Sequence, residues 1–265
     1  MKVVLFCGGL GMRLREYSDQ IPKPMVPIGY RPILWHLMKY YSSFGHNEFI
    51  LCLGYRADVV KRYFLEYDEC VTNDFVLDGA SSQPRLLASD IQDWKITFVD
   101  TGMQSNIGMR LLRARQHLKG EEMFLANYAD GLTDFPMPVL IDELKASGKT
   151  AAFLSVRPPT SFHMVATDEH NLVTSIRDVR ETDVRVNGGY FVFRREIFDH
   201  VREGEELVLE PFARLIQQRK LIAHPYDGFW VAMDTFKDKQ HLDELAASGH
   251  APWEVWKKRG AAVRG

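Results

Sequence analysis

The chain reads as an α/β protein, a Rossmann-like mixed and mainly parallel sheet flanked by helices. Three observations predict this. Short, continuous, β-prone runs such as Val3-Val4-Leu5-Phe6-Cys7 suit strands buried on both faces. These runs alternate with stretches of helical periodicity, the βαβ signature of a parallel sheet. Glycine and aspartate clusters stand where several of the apolar runs stop, so the chain turns there. With 265 residues it is long enough for one large core, and a single domain over 1–265 is the simplest division.

The first element, a strand at 3–7, ends in Gly8, Gly9 and Gly11, which permit positive φ and let backbone N–H groups approach a ligand. A dinucleotide-binding turn is excluded because Leu14 stands where the third glycine or alanine is needed, and no Walker A string exists in the chain. What remains is an anion cradle followed by Arg13 and by Lys23, which is held stiffly between Pro22 and Pro24. A glycine turn with two cations points to a polyphosphate.

A helix is expected at 31–44, stopped by Gly45, then a strand at 49–53 and a helix at 57–67. Residues 68–94 are polar and irregular and read as an excursion that covers something or binds a partner. A strand at 95–99 runs into Asp100-Thr101-Gly102, and a helix follows at 107–118. The strand at 123–126 delivers Asn127, Tyr128 and Asp130 at its C-terminal end, where open α/β sheets bind ligands. Further strands are expected at 150–156 and 190–193, the latter preceded by Asn187-Gly188-Gly189, with a hairpin over 164–176 turning at Asp168-Glu169-His170-Asn171. A helix at 209–218 and a final extended segment at 221–234 complete the reading. Asp130 and Asp234 each end an apolar run, so two distant carboxylates are placed to converge at one sheet edge.

The charge balance, 33 Lys plus Arg against 35 Asp plus Glu, has no long basic run and argues against nucleic acid or an anionic membrane as partner. No stretch approaches 18 uncharged apolar residues, and the chain opens on a strand without a signal core, so a cytoplasmic protein is expected. Cys7, Cys52 and Cys70 form neither a disulfide framework nor a zinc pattern, and the first two read as small buried hydrophobes.

The segments GGLGMRL (8–14) and KPMVPIGYRPILWH (23–36), with FILCLGYRADVVKRYF (49–64), ITFVDTG (96–102), YADGLTD (128–134), NGGYFVF (187–193), GFWVAMDTFKD (228–238) and APWEVW (251–256), resemble the signature of sugar-phosphate nucleotidyltransferases, in the family's order over nearly the whole chain. Within that family the resemblance is to the cytidylyltransferases. It implies a glycosyltransferase-A-like fold and transfer of a nucleoside monophosphate, from CTP ahead of UTP or dTTP, to a phosphorylated small-molecule acceptor such as a sugar 1-phosphate, releasing pyrophosphate. The acceptor phosphate is largely dianionic, its second pKa being about 6, so no general base is needed. The demand is in-line positioning and cancellation of negative charge.

The resemblance further implies Mg²⁺ held by Asp130 and Asp234, Lys23 on the α-phosphate and Arg13 on the β and γ phosphates, which makes Arg13, Lys23 and Asp130 the catalytic set. The nucleotide is expected against Gly8, Gly9, Gly11 and Met12, with Gly102, Ser105, Arg110 and Tyr128 nearby; Met12 stands where the family usually has Thr. On the acceptor side it implies Tyr128, Asp130, Asn187 and Gly188. The family's acceptor-binding lysine is missing, with no lysine between Lys149 and Asn187, and Arg177, Arg180 or Arg185 is expected to replace it. That substitution leaves a non-sugar phosphate or phosphonate acceptor open. Other readings are a catalytically inactive nucleotide-binding subunit and a glycosyltransferase, although no D-x-D motif occurs. A homo-oligomer is expected, with the excursion and the aromatic segment 253–256 available to an interface.

Overall fold

The computed structural model describes residues 1–9, 21–79, 83–159 and 162–257. In chain order its elements are β1 (Val3–Phe6), β2 (Pro27–Ile28), β3 (Arg31–Pro32), α1 (Ile33–Ser42), β4 (Glu48–Leu53), α2 (Ala57–Leu65), α3 (Glu69–Thr72), β5 (Phe75–Val76), β6 (Arg85–Leu86), β7 (Lys95–Asp100) and α4 (Ile107–Ala114). There follow β8 (Met123–Asn127), β9 (Gly131–Thr133), α5 (Met137–Ser147), β10 (Ala151–Val156), β11 (His163–Thr167), β12 (Val173–Asp178), β13 (Val186–Arg194), α6 (Glu210–Gln217), β14 (Leu221–Tyr226), β15 (Trp230–Ala232) and α7 (Phe236–Ala247).

Seven strands form one sheet in the order β14-β10-β13-β8-β1-β4-β7. Every neighbouring pair is parallel except the two made by β13, which runs antiparallel to β10 and to β8. The sheet is therefore mixed and mainly parallel. The continuous apolar run of β1 has a direct cause: Val3 and Leu5 enter a core with Leu37 and Met38 of α1 and Leu140 of α5, while Val4 and Phe6 enter a second core with Leu111 of α4 and Phe212 of α6. With successive side chains on opposite faces, a strand between two helical layers has no polar face to show. Cys7 and Cys52 lie in these cores, and burial pushes both thiols up, that of Cys52 to about 12, so they behave as small hydrophobes.

The parallel strands β1, β4, β7 and β8 all end at one edge of the sheet, and β10 and β14 end there too, beside the start of antiparallel β13. Several boundaries differ from the expectations above. Arg31 and Pro32 pair with β2, so α1 begins at Ile33. The 107–118 helix ends at Ala114 and continues as a 3₁₀ turn over Arg115–Leu118. Asn187, Gly188 and Gly189 lie inside β13 and not before it. The single extended segment at 221–234 is two strands in two different sheets, and two helices, α5 and α7, stand where none was expected. The hairpin of β11 and β12 turns as expected: Asp168 Oδ1 accepts from the N–H groups of His170 and Leu172 at 2.9 Å each, and Asn171 takes φ +62°. Among its described residues the excursion holds α3 and the two-residue ladder of β5 with β6. Among the described residues no helix is long and apolar enough to cross a membrane.

Candidate active site

Past β1 the backbone passes Cys7, whose N–H donates to the carbonyl of Cys52 at 2.9 Å, and enters the glycine turn. Gly8 has no room for a side chain, since a Cβ there would lie 1.9 Å from Nη1 of Arg110. Arg110, on α4, is buried under the turn. Its Nη2 donates to the Gly8 carbonyl at 2.7 Å, and its Nη1 to Thr101 Oγ1 at 2.7 Å and to the Leu53 carbonyl at 3.2 Å. One guanidinium thus ties the ends of β1, β4 and β7. Both terminal nitrogens of Arg110, which the sequence expectation set near the nucleobase, are engaged with the framework. Gly102 takes φ +80°, and Ser105 Oγ accepts from Arg113 Nη1 at 2.9 Å, so both line the rim of the same edge. Gly11, Met12 and Arg13 lie outside the described residues.

Lys23 opens a 3₁₀ turn, Lys23–Met25, with Pro22 and Pro24 on either side. Its Nζ donates to Asp130 Oδ2 and to Asp234 Oδ1, both at 2.8 Å. The carboxylates arrive together because β9 pairs antiparallel with β15, Gly131 opposite Ala232, so Asp130 and Asp234 sit just beyond the same end of that ladder. The N–H of Met233 closes it by donating to the Asp130 carbonyl at 2.8 Å. Asp234 is in turn placed by α7, whose capping box joins Thr235 and Asp238; the Asp238 carboxylate also accepts from the Asp234 N–H at 3.2 Å.

The Lys23 side chain is 15% exposed, against 28% for Asp130 and 44% for Asp234, so the ammonium is the innermost of the three and the least hydrated. Burial by itself lowers the pKa of Lys23, but the two carboxylates outweigh it and the net shift is upward; the group is an ammonium. Burial raises the pKa of Asp130, with Asp234 adding to the effect and Lys23 opposing it. Among the described residues, one ammonium is thus set between two carboxylates. Oxygen donors that converge on a cation are suited to a hard divalent ion.

A cavity of about 280 Å³ opens beside this cluster, lined by Phe6, Gly9, Lys23, Pro24, Ile107, Tyr128 and Asp130. The Tyr128 hydroxyl accepts from Asn187 Nδ2 at 3.1 Å, and its ring lies over Gly189, where a Cβ would come within 2.8 Å of Cδ2. Gly189 takes φ +74° and donates its N–H to Asn187 Oδ1 at 2.9 Å. The Gly188 carbonyl accepts from Trp230 Nε1 at 2.8 Å. Asn187 and Gly188 are therefore gathered with Tyr128, and Trp230, which sequence reasoning passed over, holds them from β15.

The three arginines of the acceptor-side segment differ in situation. Arg177 is exposed on β12, opposite Met164. Arg180 is clasped by Asp178, its Nε lying 3.0 and 3.1 Å from the two carboxylate oxygens, and those hydrogen bonds hold the Asp178 carboxyl down at about 2. Arg185 donates to the carbonyls of Ser155 and Tyr226 at 3.2 Å each and to Asp227 Oδ1 at 2.8 Å. Arg157, also missed, shares that carboxylate oxygen at 2.9 Å. Its signal was available: it follows directly on the expected strand 150–156, at the edge where the other site residues gather.

Residues 2–235 match the family described as nucleotidyl transferase. The chain is 37% identical over 257 residues, covering 97% of its own length and 100% of the relative's, to a protein of Salmonella typhi named glucose-1-phosphate cytidylyltransferase. The same identity and coverage hold for the protein of that name from Salmonella typhimurium. Among solved structures, HddC from Yersinia pseudotuberculosis superposes with a TM-score of 0.61 at 19% identity, covering 92% of this chain and 98% of that one, which is a likeness of fold.

Proposed function

The chain belongs to the nucleotidyl transferase family, and from that premise we propose that it transfers the cytidylyl group of CTP to the phosphate of a sugar 1-phosphate, releasing pyrophosphate. The observation that carries the reading is the convergence of Lys23, Asp130 and Asp234 at the carboxyl edge of the sheet. It occurs in a chain that aligns end to end with relatives named glucose-1-phosphate cytidylyltransferase.

An acceptor phosphate oxygen attacks the α-phosphorus of CTP, the new oxygen–phosphorus bond forms, and the bond to the pyrophosphate oxygen breaks. The attacking group is already an anion, so the protein's task is alignment and charge. In this reading Gly8, Gly9, Gly11 and Met12 receive the nucleotide, Gly102 and Ser105 border the base, and Arg13 grips the β and γ phosphates. Arg110 serves by holding Gly8. Tyr128, Asn187 and Gly188 form the wall against which the acceptor lies. Lys23 gives two of its three N–H donors to the carboxylates, and the third can turn to the α-phosphate.

Two carboxylates that already converge on one cation fit Mg²⁺, which takes one or two carboxylates and fills its remaining positions with phosphate oxygens and water. Asp130 and Asp234 would hold it, and when bound it supplies positive charge against the charge gathering on the phosphates. For the acceptor phosphate, Arg185 has the best support of the three arginines, because it and Arg157 share Asp227 at the same sheet edge and, among the described residues, together carry one positive charge more than that carboxylate cancels. The absence of a lysine between Lys149 and Asn187 favours a second reading, a phosphate or phosphonate acceptor that is not a sugar. A homo-oligomer is supported by the apolar side chains that the β11–β12 hairpin exposes, among them Val165, Val173 and Ile176.

The test is a matrix of CTP, UTP, dTTP, GTP and ATP against glucose 1-phosphate and other phosphorylated acceptors, read by pyrophosphate release. Efficient turnover of CTP with glucose 1-phosphate is expected. Turnover with another nucleotide only, or with none, overturns the proposal, and turnover of CTP with non-sugar acceptors only selects the second reading.

A further inference from the structure

Asp130 reaches Lys23 from a turn that its sequence resists. The chain leaves β8 at Asn127, passes Tyr128 and bends at Ala129, which takes φ +64°. A left-handed conformation is unfavourable for a non-glycine residue, because its Cβ crowds the carbonyl that follows. Ala129 is fully buried, so its N–H must find a partner inside the protein. That partner is Asn127 Oδ1, at 2.8 Å.

Asn127 is well placed to impose this. It is buried in mid-sheet, opposite Leu5 of β1 and Tyr190 of β13, and its Nδ2 donates to the Tyr41 hydroxyl at 3.3 Å. The backbone beyond the bend is held from elsewhere: the Tyr190 hydroxyl donates to the Gly131 carbonyl at 2.8 Å, and the Met233 N–H to the Asp130 carbonyl at 2.8 Å. Among the described residues, only the Asn127 oxygen holds the strained residue itself. A buried non-glycine residue in left-handed backbone, lying between two site residues, is the kind of outlier from which a functional constraint is inferred.

We propose that Asn127 is a positioning residue for the transfer: its side-chain oxygen fixes Ala129 in the left-handed bend, and the bend delivers the Asp130 carboxylate to the Lys23 ammonium. The proposal rests on the functional reading above for Asp130. Without the bond, residue 129 relaxes toward the ordinary α or β regions and the Asp130 side chain rotates off Lys23. A glycine at 129 takes the bend without steric cost, so the need for Asn127 follows from the alanine.

The full-length chain, Asn127→Ala, Ala129→Gly and the double variant separate this from a purely structural role. With CTP and glucose 1-phosphate, Asn127→Ala is expected to lower kcat by up to about 10²-fold, the scale of a roughly 1 Å misplacement, with KM for CTP nearly unchanged. Adding Ala129→Gly is expected to recover most of that loss. Acylation of Lys23 by an N-hydroxysuccinimide ester, read by peptide mass spectrometry, gives a measure that needs no turnover. It should rise in Asn127→Ala, where the ammonium loses Asp130, and fall back in the double variant. Normal kcat and normal labelling in a folded Asn127→Ala, or losses that Ala129→Gly leaves unrelieved, overturn the proposal. Should Asn127→Ala not fold, Ala129→Val takes its place, because a β-branched residue at positive φ is a genuine outlier; wild-type kcat and labelling in that variant overturn it equally. Labelling that changes as expected in a chain that turns over no substrate pair sustains the positioning role and removes the functional reading.

Discussion

The half of the sheet that carries the glycine turn and the hairpin of β11 with β12 obey opposite rules. In β1 every residue is buried, and at that end of the sheet the guanidinium of Arg110 ties three strand ends through Gly8, Leu53 and Thr101. In β11 every residue is exposed, and the polar contacts nearby are local pairs such as Asp178 with Arg180. Where charges must be held at fixed distances, the positions are set by buried backbone and two packed cores. Where a surface has only to present side chains, a two-stranded ribbon suffices.

Substitution should expose this asymmetry at full strength. Asp130→Asn, or Asp234→Asn, is expected to lower kcat by about 10²–10³-fold in a pyrophosphate-release assay, the usual cost of removing a preorganised electrostatic group. Arg177→Ala on the hairpin should leave kcat nearly unchanged; comparable losses from the two would break the contrast.

A smaller effect is expected on stability. Arg110→Met strips the buried Gly8 carbonyl of its donor and should cost about 1–3 kcal/mol by urea denaturation, as an orphaned buried acceptor does. Arg180→Met, on the exposed pair, should barely move the midpoint.

The two regions should also titrate apart. Burial draws the pKa of His36 down to about 4; its Nε2 faces the Ile28 carbonyl at 3.0 Å and its Nδ1 accepts from Trp253 Nε1 at 3.2 Å. A depressed folded pKa means that the unfolded chain takes up the proton first, so this contribution is whole above the ordinary histidine value of about 6.5 and drains away as pH falls through 4. Urea midpoints over that range should fall for the wild type and flatten in His36→Gln.

The smallest expected effect is on the hairpin. Asp178, held down by Arg180, keeps its contribution above the ordinary aspartate value of about 3.9 and loses it as pH falls toward 2. The carboxyl carbon shift of Asp178 itself should therefore move only below about pH 4, and Arg180→Met should raise the pH at which it moves.

What could be read in the sequence follows the same division. The strands of the buried half are continuous apolar runs, and the ends of those runs announced Asp130 and Asp234 before any coordinates. The hairpin turn was legible too, because Asp168 and Asn171 carry their turn chemistry in their own side chains. α5 was hidden by Pro136 and Pro138, which look like loop residues although proline is tolerated at a helix start. α7 was hidden because its capping threonine follows directly on Asp234, which read as the end of a strand. The burial of Arg110 had no local signal, since its acceptors belong to strands distant in sequence. Nor did the bend at Ala129, for alanine is an unusual choice where φ is positive.

The bridge that Lys23 makes spans 107 residues to Asp130 and 211 to Asp234. Contacts of such separation close large loops, and the entropy of closure delays them. During synthesis the first of the three residues leaves the ribosome long before the last, and no nascent chain shorter than 234 residues contains the complete cluster. Completion of this cluster is thus a late product of folding, and a chain interrupted between β14 and Asp234 would hold all seven strands of the main sheet and yet lack one of the two carboxylates.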